Sequence, residues 1–180
     1  KIPYTLKANE VATNMTAIYF ADDGTTSNRA GRYDEAEGKV DFNAKQSGKY
    51  IAKNIVRKFN DITDGYWGRP AIEAMAAKGV LAGRPDGNFY PNDNVTRAEF
   101  AKMLSEAMGI VDENATADFS DVSTDAWYYV YVASAASKGI IQGYEGKFMP
   151  NNKISRQEMA VMIARALGEE APANADKFLD

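Results

Sequence analysis

The 180-residue chain contains no cysteine and no histidine. Without thiols it can form no disulfide, no thiolate metal site and no cysteine nucleophile. Their absence suits an exported protein whose stability is independent of redox state. Without imidazole, the commonest general base and the Ser-His-Asp arrangement are excluded. A zinc site would have to be all-carboxylate, an uncommon arrangement, so no metal and no cofactor is expected. No stretch approaches the ~20 apolar residues of a membrane span, and no secretory leader is visible. The chain opens on Lys1 rather than Met, which reads as a processed product or a fragment. Basic residues form no run and the net charge is −4, so nucleic acid is not an expected partner. An anionic ligand would have to be held by local groups, since the overall field does not steer it in.

What is present divides near Lys58. Residues 1–58 read as β. Ala17-Ile18-Tyr19-Phe20, Lys39-Val40-Asp41-Phe42-Asn43 and Gly48-Lys49-Tyr50-Ile51-Ala52 are short strand-like runs separated by Gly and Asp turns. They predict a small antiparallel meander, read as the end of a preceding domain. From Phe59 the chain repeats itself. Phe59-Asn60-Asp61 aligns with Phe119-Ser120-Asp121, Trp67 with Trp127, Lys78-Gly79 with Lys138-Gly139, and Gly83 with Gly143. After one deletion, Phe89, Pro91-Asn92, Arg97, Glu99, Met103 and Gly109 meet Phe148, Pro150-Asn151, Arg156, Glu158, Met162 and Gly168. There are 17 identities over about 50 columns, where average composition gives roughly three. Repeat one is assigned to 59–117, repeat two to 118–176, and the start of a third to 177–180.

Each repeat reads as helix, loop, helix. The first helix starts near Pro70 and places Ile72, Met75, Ala76 and Gly79 on one face, matched by Val132, Ala135, Ala136 and Gly139. The loops hold Gly, Asp and Pro turn residues. The run Asp86-Gly87-Asn88 lacks the spaced oxygen ligands of a calcium loop and reads as a plain turn. Thr96-Arg97-Ala98-Glu99 and Ser155-Arg156-Gln157-Glu158 are capping boxes that open the second helix. Its apolar face holds Phe100, Met103, Leu104 and Ala107 in one repeat and Met159, Met162, Ile163 and Ala166 in the other. The fold class expected is mainly α, with a small β segment in front.

Arg97 and Arg156 carry the sharpest functional signal. A cation just after an N-cap opposes the helix macrodipole by about 0.3–1 kcal/mol, yet both repeats place one there. Free N–H groups at a helix start together with a guanidinium would make an anion site. An internal ion pair with Asp121, Glu99 or a similar group is the structural alternative. On the anion reading Arg97 is dispensable for stability. Trp67 and Trp127 are either core aromatics or platforms for a sugar ring. Asp61 and Asp121 either cap a turn or hydrogen-bond sugar hydroxyls.

These residues together resemble the S-layer homology family. The family's pattern runs from aromatic-x-Asp through Trp to Lys-Gly, then a Gly-x-Phe-x-Pro loop, and ends on Thr-Arg-Ala-Glu. Repeat one keeps Thr96-Arg97-Ala98-Glu99 intact; repeat two departs to Ser155-Arg156-Gln157-Glu158. The resemblance implies non-catalytic anchoring of an exported, extracellular protein to the bacterial cell wall. The implied partner is secondary cell-wall polysaccharide, through a pyruvylated amino sugar, or modified peptidoglycan. It also implies three repeats with grooves between neighbours. One groove would combine Arg97 and its cap, Thr96 and Glu99, with Asp121 and Trp127, while Arg156 and Trp67 would face the third repeat; Asp61 is a further candidate ligand-binding residue. With two repeats, an apolar side would be left open for self-association. The competing reading is a protein–protein lattice or scaffold contact without a glycan site. A two-carboxylate glycosidase is disfavoured because no Asp or Glu is singled out beyond the capping glutamates.

Overall fold

The computed structural model describes residues 1–169, so the third-repeat start at Phe178 lies outside the described residues. Two compact units, Lys1–Asp93 and Asn94–Asp180, divide the chain.

In the first unit, six strands precede one helix. The strands are β1 (Ile2–Pro3), β2 (Met15–Phe20), β3 (Thr26–Asn28), β4 (Arg32–Asp34), β5 (Lys39–Asp41) and β6 (Lys49–Asn54). They form two three-stranded antiparallel sheets, ordered β1-β5-β4 and β3-β2-β6. β2 is the central strand of its sheet, with Ile18 opposite both Asn28 and Ile51. Met15, Ala17 and Val40 are fully buried and form the β core. Thr16, on the other side of β2, is equally buried, so this strand is covered on both faces. Helix α1 (Arg69–Ala77) follows, with Pro70 in its first turn as its fixed φ favours. Ile72 and Ala76 are buried as the periodicity predicts, but Met75 is 40% exposed.

The second unit contains α2 (Arg97–Met108), α3 (Tyr129–Ser137) and α4 (Arg156–Leu167). Both predicted capping boxes are present: Thr96 with Glu99, and Ser155 with Glu158. Both helices they open end on a left-handed glycine, Gly109 and Gly168. The core gathers Ala101, Leu104, Val132, Ala135, Ile141 and Met162 around Phe148, which has no exposed surface.

The expectation of a mainly α protein is corrected: helix accounts for 27% of the structure and strand for 16%. The helices are only nine or twelve residues long. Among the described residues most of each repeat lies in loops, held by backbone turn hydrogen bonds and by side-chain acceptors such as Asp61 and Asp121, and the N-terminal segment contributes two sheets.

One loop contains a local misfit. Tyr144 and Lys147 bridge across a two-residue turn in which Glu145 has φ +50° and Gly146 φ +71°. That geometry suits Asn-Gly, whereas a glutamate there bears a steric cost. Glu145→Asn is expected to stabilise the second unit by about 0.5–1 kcal/mol, read as a raised denaturation midpoint with unchanged slope.

Candidate functional site

The site grows from the start of α2. Arg97 is its first residue, and the guanidinium folds inward: the residue is 8% exposed. Its Nε donates to the Phe148 carbonyl at 2.8 Å, and its Nη1 pairs with Glu158. The guanidinium also sits 4.8 Å from the Phe148 ring centroid, within cation–π range. The ion-pair alternative is therefore realised, with Glu158 as partner rather than Asp121 or Glu99. The amides at the start of α2 are engaged as well. Arg97 N–H donates to the Asn152 carbonyl at 2.9 Å, Ala98 N–H to that of Pro150 at 3.0 Å, and Glu99 N–H to the Thr96 hydroxyl at 3.2 Å. The expectation of free N–H groups for an anion at this helix start is corrected: neighbouring backbone carbonyls take them.

Glu158 has two tasks. One carboxylate oxygen accepts from Ser155 N–H and the Ser155 hydroxyl, both at 2.8 Å, while the other faces Arg97. The Ser155 amide above all holds its carboxyl below the ordinary glutamate range, against burial, with the Ser155 hydroxyl and Arg97 adding to the effect.

Asp121 holds the loop that Arg97 touches. Its two oxygens accept from Phe148 N–H at 2.8 Å and Met149 N–H at 2.7 Å. The Phe148–Met149 peptide is thus gripped at both ends, its carbonyl by Arg97 and its N–H by Asp121. Met149 has φ +58°, a left-handed conformation unfavourable for a side chain of this kind. Asp61 repeats the device in the first unit, accepting from Phe89 N–H at 2.8 Å and from the left-handed Tyr90 N–H at 2.7 Å. Burial raises the Asp61 carboxyl, but these two amides outweigh it and the net shift is downward.

Trp67 and Trp127 are 88% and 58% exposed. Each leans on the tyrosine beside it, with centroids 5.9 Å apart for Tyr66–Trp67 and 5.3 Å for Trp127–Tyr128. The core-aromatic alternative does not apply to either indole. Arg156 is exposed, and among the described residues its guanidinium makes no hydrogen bond or ion pair.

A pocket of about 320 Å³ opens beside the buried arginine. Arg97 and Glu158 form part of its wall, with Gln142, Gly143, Tyr144 and Arg165 among the rest. Arg165 is exposed and its Nη2 donates to the Gln142 side-chain oxygen at 3.0 Å. Tyr144 is 68% exposed. Of the candidate ligand-binding residues read from the sequence, Arg97 alone lines this pocket, joined by Glu158, which the sequence marked only as a capping residue; Thr96, Glu99 and Asp121 act on its supporting backbone. Arg165, Gln142 and Tyr144 were missed. Arg165 has no arginine counterpart, since Glu106 occupies its place in repeat one, so a search for repeated residues passes over it.

The sequence profile of the S-layer homology domain matches residues 58–101 and 118–160. The chain belongs to the S-layer homology family. It is 35% identical over 162 residues to an amylopullulanase of Thermoanaerobacterium thermosulfurigenes, covering 89% of this chain and 8% of that protein. With the exoglucanase XynX of Acetivibrio thermocellus the identity is 35%, over 72% of the chain and 12% of the relative. With an S-layer protein of Bacillus thuringiensis subsp. finitimus it is 33%, over 69% and 16%. The chain thus spans less than a fifth of the length of each of these relatives. The amylopullulanase match is too long to be confined to the repeats and reaches into the β segment. S-layer homology proteins are associated with the cell surface and cell wall, and the domain is an anchoring module. No helix among the described residues is long and apolar enough to cross a membrane.

Acid sensitivity follows in part from the depressed carboxyls of Glu158 and Asp61. Their stabilising contribution is complete above the unfolded-state values near 4 and is lost as pH falls through the lower folded-state values. The melting temperature is expected to be flat from pH 7 to about 5 and to fall below about pH 4. Scanning calorimetry across that range checks this, and Glu158→Gln should remove part of the fall. An unchanged melting temperature down to pH 3 would contradict it.

Proposed function

We propose that this S-layer homology chain anchors an exported protein by binding secondary cell-wall polysaccharide, through an acidic sugar such as a pyruvylated amino sugar, in the pocket beside Arg97. The observation that carries this reading is the combination of groups there. Arg165 and Tyr144 are exposed at the pocket, while Arg97 is locked behind them by Glu158 and Phe148. A tyrosine face suits the apolar side of a sugar ring, side-chain amides suit its hydroxyls, and an exposed guanidinium suits a carboxylate in bidentate geometry. Arg165 is in this account the residue that meets the ligand's charge, and Arg97 shapes the wall. Thr96, Glu99 and Asp121 keep that wall in place. Trp127, Trp67 and Arg156 offer further exposed surfaces for the polymer, and Asp61 supports the corresponding loop of repeat one. In this reading repeat one spans 59–117 and repeat two 118–176.

Arg165→Ala and Tyr144→Ala are each expected to weaken retention on purified cell-wall sacculi about tenfold, the loss of one charge-assisted hydrogen bond or one stacking contact. The melting temperature should barely move, since both side chains are exposed. Unchanged retention in both variants would remove the pocket from the account. A second reading, a lattice contact without glycan, is favoured by the exposed Val161, Ile163 and Leu167 of α4. It predicts retention on protein lattices and none on bare sacculi.

A further inference from the structure

Lys78 and Lys138 occupy equivalent places in the two repeats, at the C-terminal ends of α1 and α3, yet their surroundings differ. Lys138 is exposed; Lys78 is partly buried. The Lys78 ammonium donates to the Met15 carbonyl at 3.1 Å and the Gly31 carbonyl at 2.5 Å, both in the β segment. Lysine is seldom buried without a paired charge, and here its hydrogen-bonding partners are backbone carbonyls. Burial, with the nearby Arg32, lowers its pKa. A second link lies alongside. Asn28, at the end of β3, donates from Nδ2 to the Ala77 carbonyl at 2.7 Å, one of the carbonyls that a helix end leaves without an intrahelical partner. The other end of the Asn28 amide accepts from the Thr16 hydroxyl at 2.5 Å and from Ala30 N–H at 2.9 Å. Thr16 is fully buried, and its hydroxyl accepts in turn from Gly31 N–H at 3.1 Å. Gly31 is required by the same packing: a Cβ there would lie 2.8 Å from both Ala17 N and Val40 Cγ1. The partners of the helix end, the Asn28 donor for the Ala77 carbonyl and the Met15 and Gly31 acceptors for Lys78, are therefore held by the β core.

We propose that the C-terminal corner of the first repeat's leading helix is a docking surface for the β segment, clasped by Lys78 and Asn28, so that the sheet is a built-in part of the first anchor unit rather than a neighbour tethered by a linker. The covalent connection through Val56, Arg57 and Lys58, all exposed, is then not what holds the two together. Repeat two has the lysine but presents it to solvent, so the clasp is particular to repeat one. Force on the upstream chain would pass from β2 through Asn28 and Lys78 into α1, as well as along the linker.

The test inserts a specific protease site after Val56 in the full chain, cleaves it, and follows both pieces by size-exclusion chromatography at micromolar concentration. The pieces of the parent chain should co-elute. Lys78→Met, and separately Asn28→Asp, should raise the fraction released at least tenfold. Asn28→Asp keeps the acceptor used by Thr16 and Ala30 but turns an oxygen toward the Ala77 carbonyl, which disturbs the junction more than the sheet. Lys138→Met is the control and should release nothing. Circular dichroism before cleavage establishes that each variant is folded. Separation of the parent's pieces, or variants that hold together as tightly as the parent, would overturn the proposal.

Discussion

Arg97→Ala should lower the stability of the second unit by about 2–3 kcal/mol. The substitution strands the Phe148 carbonyl, a buried acceptor, at a cost of about 1–3 kcal/mol. It also removes the guanidinium packed on the Phe148 ring and the partner of Glu158. Breaking a fully buried pair costs about 3–5 kcal/mol, but Glu158 is 42% exposed and water screens much of that loss. A gain of a few tenths of a kcal/mol comes from removing a cation at a helix start and does not change the sign. For a unit of this size the fall corresponds to roughly 10–20 °C in melting temperature. Arg97→Lys should fall between, because an ammonium cannot reproduce the fork that serves carbonyl and carboxylate together. Thermal denaturation of the three proteins checks this. Equal melting temperatures would return Arg97 to a dispensable, ligand-facing role.

Asp121→Ala should have an effect of similar size, about 2–3 kcal/mol, because it leaves the Phe148 and Met149 amides without their charged acceptor. Asp121→Asn should cost less, since one oxygen can still accept. The two residues grip opposite ends of one peptide, so their effects should not add. Once Arg97 is gone, the loop is already loosened and Asp121 has less to hold. A double-mutant cycle should give a coupling energy of about 0.5–2 kcal/mol. Met149, held at φ +58°, is where the loop is expected to relax first, and Met149→Gly should recover part of the loss. Strictly additive effects would mean that the two side chains support independent parts of the fold.

How much of this was legible beforehand can be judged residue by residue. The capping boxes at Thr96 and Ser155 follow from spacing alone, since a hydroxyl three residues before a glutamate satisfies local donors without help from the rest of the chain. The strands at Lys39–Asp41 and Lys49–Asn54 follow from alternation between turns. The partner of Arg97 was not legible. Glu158 lies 61 residues away and was already accounted for by its own cap; nothing local shows that its second oxygen turns to an arginine. The direction of Asp121 was ambiguous for a similar reason, because a short carboxylate serves a turn or a ligand equally well until the loop is folded around it. The dominance of loops over helix was also hidden. Periodicity marks where a helix can form, but the helices stop at nine and twelve residues, where the glycines and Asx-type turns take over. Arg165 and Tyr144 broke the repeat pattern and so fell outside it.

The central claim, anchoring through an acidic wall polysaccharide, is tested most directly by sedimenting the full chain with purified sacculi before and after chemical extraction of the secondary polymer. The account predicts that the chain pellets with intact sacculi, stays in solution with extracted ones, and is displaced from intact sacculi by the isolated polymer. Equal pelleting with both preparations, or none with either, would contradict it.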